Sequence, residues 1–577
     1  MTSAFGAIQL GCGEASHLRN KSMLKSLTSL AVFAVLPVVP IATFTLNTRP
    51  AKAATFNLIE ATIPEIQAAI EAELITSEYL VQQYLNRIEV YDDQGLMLNS
   101  IIEVNPDALG TAQALDLERD TAGPRGPLHG IPVLLKDNID TADLPTTAGG
   151  LILEGSIPPD DAFITQELRD AGAIILGKAN LSEFANFIAF DLPNGFSAVG
   201  GQTLNPYGPG EFDTGGSSSG SAAAVAANLA PIAIGTETSG SILSPASSNS
   251  VVGIKPTVGL ISRDGIIPIS ATQDTAGPIA RTVEDAAILL GALTGVDPSD
   301  PATAASEGQF FEDYTQFLNP DGLEGTKLGV LRDPFFTGFL SDDELTLAEQ
   351  AFDSLEQLGA ELVEVELPNL EELFSLNFDV LFYEFNVGIE GYLASLGEDA
   401  PAETLADIVA FNEANVEEAI PFGQGLFELS LETEGDLSDP AYLESLETGI
   451  RVTATEGVDV LLESFDLDAL LYPNNIAAIS GARPGYPSIT VPSGYTPEGD
   501  PFGLTFLSDA FSEPALIELA YAYEQGTLLR VAPDSTPAIV GDRVTVPESP
   551  AGRALLIIAL GAVGHRLRRW RPGHQSA

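Results

Sequence analysis

The chain has 577 residues (60.5 kDa), 45% hydrophobic and 18% charged, which allows a large buried core and excludes global disorder. It carries 25 Lys+Arg against 81 Asp+Glu, a formal net charge of -56, so its body repels nucleic acid and anionic membrane and has the solvated surface of a protein suited to salty surroundings. The only cysteine is Cys12, and His129 is the only histidine between residues 54 and 550, which excludes cysteine nucleophiles, Cys-based zinc sites and internal disulfides there. The same stretch holds four lysines, Lys136, Lys178, Lys255 and Lys327. Its chemistry must therefore run on hydroxyls, carboxylates, a lysine or one histidine.

The basic residues gather at the ends. Residues 1–53 hold Arg19, Lys21, Lys25, Arg49 and Lys52 against Glu14 alone. Lys21 and Lys25 precede an apolar run from Leu27 to Leu46, and Ala51-Lys52-Ala53 is a small-x-small cleavage site, so residues 1–53 read as an export signal and leader. An uncleaved anchor is the competing reading, since about 20 apolar residues can span a bilayer. Thr62-Ile63-Pro64-Glu65 has the capping-box spacing, and two helices are expected over 62–92. Ile131–Leu135 reads as a buried strand and Ala173–Leu176 as another behind a helix. Ser221–Leu229 is Ala-rich and helical, followed by a short strand at Ile232–Ile234. Residues 297–323 break into Pro, Asp and Gly as a connection, 340–470 read as acidic amphipathic helices, and Leu470–Tyr472 and Ser488–Val491 as core strands. Alternating strands and helices imply an α/β layered fold. Residues 546–577 form a tail: Val546-Pro547-Glu548-Ser549-Pro550, an apolar Ala554–Gly564, then Arg566, Arg568 and Arg569. This arrangement resembles the PEP-CTERM sorting tail of some bacteria, with Ser549 interrupting the motif; a terminal amphipathic helix is the alternative.

The centre of the chain is Gly215-Gly216-Ser217-Ser218-Ser219-Gly220-Ser221, followed by Gly235-Thr236-Glu237-Thr238-Ser239-Gly240-Ser241. A phosphate cradle needs a Gly-Lys-Ser/Thr ending, and no lysine lies between Lys178 and Lys255. A hydrolase elbow is formally present over 216–220, but the only histidines after it are His565 and His574 in the tail. The third chemistry is a serine nucleophile served by lysine. A serine hydroxyl needs an adjacent base, and lysine can be that base only where desolvation keeps it uncharged. Lys136 ends an apolar run, Ile131-Pro132-Val133-Leu134-Leu135, where burial is natural.

These segments, with Pro127-Leu128-His129-Gly130 before Ile131, Asp137-Asn138 after Lys136, Gly485-Tyr486-Pro487-Ser488-Ile489-Thr490-Val491-Pro492, and Phe511-Ser512-Glu513-Pro514, closely resemble the amidase signature family over roughly residues 58–530. Thr236 to Ile242 and Arg263-Asp264-Gly265-Ile266-Ile267-Pro268 look most like its peptide-amidase branch. The resemblance implies an α/β/α sandwich with a central mixed, twisted sheet covered by helices, filling residues 54–545. It implies a Ser–Ser–Lys triad: Ser241 is acylated, Ser217 bridges through a cis peptide after Gly216, and Lys136 is the final proton acceptor. The backbone N–H groups of Thr238, Ser239, Gly240 and Ser241 would form the oxyanion hole, with no metal or organic cofactor. Lys178 and Lys255 are expected in structural ion pairs, Ser218 and Ser219 in structural hydrogen bonds, His129 in the turn before the Lys136 strand, and Asp274 as a brace to the site. Some family members carry an arginine three residues after the nucleophile, where this chain has Ser244. A neutral amide or an amidated peptide is therefore expected over a small acidic substrate. The rival classes are the ammonia-generating subunit of an amidotransferase, feeding ammonia to a partner, and a catalytically silent surface-binding protein.

Overall fold

The computed structural model describes residues 54–546, Glu434 excepted. The leader expected over 1–53 and the tail expected over 546–577 lie outside the described residues, apart from Val546, which ends a strand. In chain order the strands are β1 (Ala54–Asn57), β2 (Ile101–Val104), β3 (Pro132–Lys136), β4 (Ile174–Ala179), β5 (Phe196–Ser197), β6 (Gly201–Gln202), β7 (Ile232–Glu237) and β8 (Val252–Lys255). They continue with β9 (Thr275–Ala280), β10 (Lys327–Val330), β11 (Glu361–Glu364), β12 (Ala469–Pro473), β13 (Ser488–Tyr495), β14 (Pro501–Leu507) and β15 (Arg543–Val546). Eleven of them form one sheet in the order β11-β10-β12-β14-β13-β8-β9-β7-β3-β4-β2. The sheet is mixed: β7, β3 and β4 run parallel, as do β11, β10 and β12, while the strands between them and the edge strand β2 pair antiparallel. Helices flank it as an α/β/α sandwich, and central strands covered on both faces read as continuous apolar runs. Pro132 to Lys136 is buried at every position.

The expected helices over 62–92 are Ile63–Glu71 and Ser77–Ile88, and the first opens with the capping box. There the Thr62 hydroxyl accepts the Glu65 N–H at 3.3 Å while a Glu65 oxygen accepts the Thr62 N–H at 3.1 Å. The Ala-rich helix spans Ser219–Ala226 and is buried on all sides, because its Gly, Ser and Ala side chains let it pass between the sheet and its neighbours. The expectation of helices throughout 340–470 needs one correction. β11 lies inside that stretch, paired parallel to β10 at the sheet edge, with Glu361 and Glu364 exposed. An edge strand with charged, solvent-facing ends looks like part of an acidic helix in sequence.

One apolar core follows the sheet, and a second gathers Phe184, Phe187, Ile267, Phe385 and Phe427. That second core seats the helices Asp379–Ser395 and Gly425–Leu431 over the segment after β4 and the segment before β9. Among the described residues no helix is long and apolar enough to cross a membrane.

Candidate active site

Lys136 is the last residue of β3, and β7 lies parallel beside it, so the loops leaving both strands open at the same sheet end. Ser217 lies just before the helix Ser219–Ala226, and Ser241 lies in the turn after β7. Lys136 Nζ lies within hydrogen-bond distance of Ser217 Oγ (2.8 Å), the Thr236 carbonyl (3.2 Å) and Thr236 Oγ1 (2.9 Å). Lys136 and Ser217 are 0% exposed and Ser241 is 9% exposed, so of the three only Ser241 reaches the open side. Among the described residues no hydrogen bond joins the Ser241 hydroxyl to Ser217. Their loops are tied through the backbone, the Ser218 N–H donating to the Ser241 carbonyl at 3.1 Å.

The Gly216–Ser217 peptide is cis. A side chain at 216 would place its Cβ 2.6 Å from Asn194 Oδ1 and 2.7 Å from Ser182 Oγ, so any residue but glycine has to displace those side chains. The Ser182 N–H holds the Ser217 carbonyl at 3.0 Å, Ser219 Oγ donates to the Gly215 carbonyl at 2.6 Å, and Ser218 Oγ bonds both backbone groups of Thr236. The Gly/Ser run is thus pinned residue by residue.

Burial pushes the Lys136 amine down to about 7, against the opposing pull of the Asp274 and Glu237 charges. Neither carboxylate pairs with it directly. Glu237 accepts the N–H groups of Gly240 (2.8 Å), Ile242 (2.7 Å) and Leu243 (3.0 Å), and so folds the Ser241 turn around one carboxylate. Asp274 accepts the Thr238 hydroxyl at 2.5 Å and the N–H groups of Ile269 (2.7 Å) and Ser270 (2.8 Å), the bracing position expected for it. The oxyanion-hole expectation changes accordingly. The Gly240 N–H is committed to Glu237, whereas those of Thr238, Ser239 and Ser241 have no acceptor among the described residues.

Lys178 lies 3.4 Å from Asp137, both buried, as expected of a structural pair. Lys255 departs from expectation: it donates to the carbonyls of Tyr486 (2.8 Å) and Pro256 (3.2 Å) and has no ion pair among the described residues. Burial pushes its amine down to about 8, against the opposing pull of the Glu237 and Glu513 charges. His129 accepts the Arg125 N–H at 3.2 Å and lies 2.9 Å from the Leu115 carbonyl, within the turn before β3. Sequence reasoning passed over Thr236, Glu237 and Asn138 as individual groups. They sat inside the recognised motifs, but a hydrogen-bond role has no periodicity to reveal it.

A cavity of about 310 Å³ lies beside this constellation, walled by Asn138, Thr236, Thr238, Asp274, Arg263 and Tyr392 among others. Of the expected site residues only Thr238 lines it. The Arg263 guanidinium is committed to Asp300 through two hydrogen bonds of 2.8 and 2.7 Å. Among the described residues no group of three or more His, Cys, Asp or Glu is arranged to hold a metal ion.

A family model and similar known proteins define the class, an amide-hydrolysing enzyme. The amidase family model matches residues 79–481, and the chain belongs to that family. It is 48% identical to the peptide amidase of Stenotrophomonas maltophilia, with a TM-score of 0.79 over 83% of this chain and 99% of that one. An amidase family protein from Bacillus anthracis is 40% identical, with a TM-score of 0.78 over 83% of this chain and 93% of that one. A probable amidase from Arabidopsis thaliana is 42% identical over 83% of this chain and 92% of its own length. The A subunit of the glutamyl-tRNA(Gln) amidotransferase of Gloeothece citriformis is 34% identical over 81% of this chain and 98% of its own.

Proposed function

We propose that the protein hydrolyses carboxylic amides, C-terminal peptide amides foremost, through Ser241, Ser217 and Lys136. The observation that carries the reading is the 2.8 Å hydrogen bond between a wholly buried lysine and Ser217, with no carboxylate among the described residues within ion-pair distance of the amine. Ser241 Oγ attacks the amide carbon, its proton passes to Ser217, and the Ser217 proton passes to Lys136. The resulting oxyanion is met by the N–H groups of Thr238, Ser239 and Ser241, and one such donor is worth about 2.7–4 kcal/mol in transition-state stabilisation. As the C–N bond breaks, Lys136 returns its proton through Ser217 to the leaving nitrogen, which departs as ammonia from a primary amide. Water then attacks the acyl ester. One of its protons enters the same relay, the C–O bond to Ser241 breaks, and Ser241 recovers its proton.

The substrate reading rests on Ser244 standing where an arginine would pair with a carboxylate, on Arg263 being committed to Asp300, and on the likeness to a peptide amidase. A panel of peptide amides, their free acids and small aryl amides tests it. Ammonia release from peptide amides, lost in Ser241→Ala, is expected; equal activity in Ser241→Ala removes the nucleophile. The amidotransferase reading draws on the 34% identical relative and predicts a stable partner on purification, where the hydrolase reading predicts full activity from the chain alone. We place the enzyme outside the cytoplasm on the strength of Lys21, Lys25, the apolar run and Ala51-Lys52-Ala53. A mature N-terminus at Ala54 is the expected result of peptide sequencing.

A further inference from the structure

An uncharged amine has two N–H donors and one lone pair, and Lys136 Nζ has three neighbours for them. Two belong to one residue. The Thr236 carbonyl, 3.2 Å away, can only accept, and Thr236 Oγ1 lies at 2.9 Å. The third, Ser217 Oγ, is the group whose proton must leave. Thr236 is fixed on every side. It pairs with Ala276 of β9, its N–H and carbonyl are both bonded by Ser218 Oγ, and Asn138 Nδ2 donates to its hydroxyl oxygen at 3.0 Å. Asn138 takes one lone pair of that oxygen and leaves another for the amine.

We propose that Thr236, seated by Asn138, is a positioning residue that takes both N–H groups of the uncharged Lys136 and so holds its lone pair on the Ser217 hydroxyl. The proposal rests on Lys136 being the final proton acceptor. Once the amine has gained its proton, the same three oxygens accept the three N–H groups of the ammonium, the new one pointing back at Ser217. Neither state requires the amine to turn. The charges facing it are Glu237 at the end of β7 and Asp274 before β9, while the next residue, Asp137, is paired with Lys178 of β4. Both acids spend their oxygens on the loop, so the hydroxyls and carbonyl alone orient the amine.

The test uses the full chain and a fluorophosphonate probe. Ser241 Oγ forms a bond to phosphorus, fluoride leaves, and the serine proton passes through Ser217 to Lys136. The labelling rate is measured against pH for wild type, Thr236→Val, Thr236→Ser and Asn138→Ala, with thermal unfolding alongside. In Thr236→Val the plateau rate falls on the order of 10- to 100-fold, and the acidic limb moves to lower pH, because the ammonium loses a charge-assisted hydrogen bond and the uncharged amine a weaker one. Thr236→Ser restores most of the rate and the limb. Asn138→Ala, which lies outside the sheet, lowers the rate because the freed Thr236 hydroxyl competes with Ser217 for the lone pair. An unshifted limb in Thr236→Val, or no recovery in Thr236→Ser, overturns the inference while leaving the hydrolase reading intact. Labelling that persists in Ser241→Ala overturns the hydrolase reading instead.

Discussion

Lys136 carries a linkage consequence that can be measured apart from catalysis. Its amine titrates near 7 in the fold against an ordinary value of 10.5. Between those values the unfolded chain holds a proton that the folded chain lacks, so this residue makes stability rise with pH across that window, and its burial costs most below pH 7. Lys136→Met is expected to lose amide hydrolysis by about 1000-fold or more. It should also stabilise the fold, the gain in melting temperature being larger at about pH 6 than at about pH 9. An equal gain at both values argues that the lysine is not desolvated. Asp274 acts on the same amine with the opposite sign, its charge holding the Lys136 proton on. Asp274→Asn should therefore move the acidic limb of the rate profile to lower pH while lowering the plateau, because its hold on Thr238, Ile269 and Ser270 is weakened.

The turn between β7 and the helix Leu243–Ser248 owes its shape to one side chain. Glu237 gathers three N–H groups, and Glu237→Ala leaves them buried and unpaired, at a cost of about 1–3 kcal/mol for each unsatisfied group. The expected result is a lower denaturation midpoint and a fall in kcat with little change in KM, read by urea unfolding and steady-state kinetics. The elements differ in how far they could be read in advance. β3 and β4 were legible because strands covered on both faces are unbroken apolar runs, and the structure moves the β3 reading by a single residue, which makes Lys136 the strand's end. β9 escaped because Gly277 and Pro278 stand in the middle of a central strand, where propensity argues against them and packing against β7 and β8 decides. β11 escaped because its glutamates face solvent at the sheet edge. Lys136, Ser217 and Ser241 could be named because glycine-rich turns and a strand-end lysine leave a motif. Thr236 and Asn138 act through hydrogen-bond direction, which only coordinates supply.

At the scale of the molecule, the two ends of the described chain close on each other. β1 pairs with β15, and Arg87, wholly buried, donates to Asp542 and to the carbonyls of Ala227, Asn228, Thr536 and Pro537. Asp542→Ala strands that guanidinium in the core and should cost about 3–5 kcal/mol, seen in a denaturation midpoint far below wild type. A loss below 1 kcal/mol (roughly the value of an exposed pair) contradicts the buried clamp. The net charge of -56 acts over the whole surface, so added salt should raise the melting temperature by screening self-repulsion. A melting temperature that falls with salt would mean that paired surface charges outweigh that repulsion.

At the centre of the mechanism is an amine that gives up its charge near neutrality to receive a proton through two hydroxyls. The direct measurement is kcat/KM on a peptide amide across pH, where the free enzyme's essential base sets the acidic limb. The expected profile is a rise with single-proton slope, half-complete near 7, that disappears in Lys136→Met. A rate that stays flat from about pH 5 to about pH 9 contradicts it.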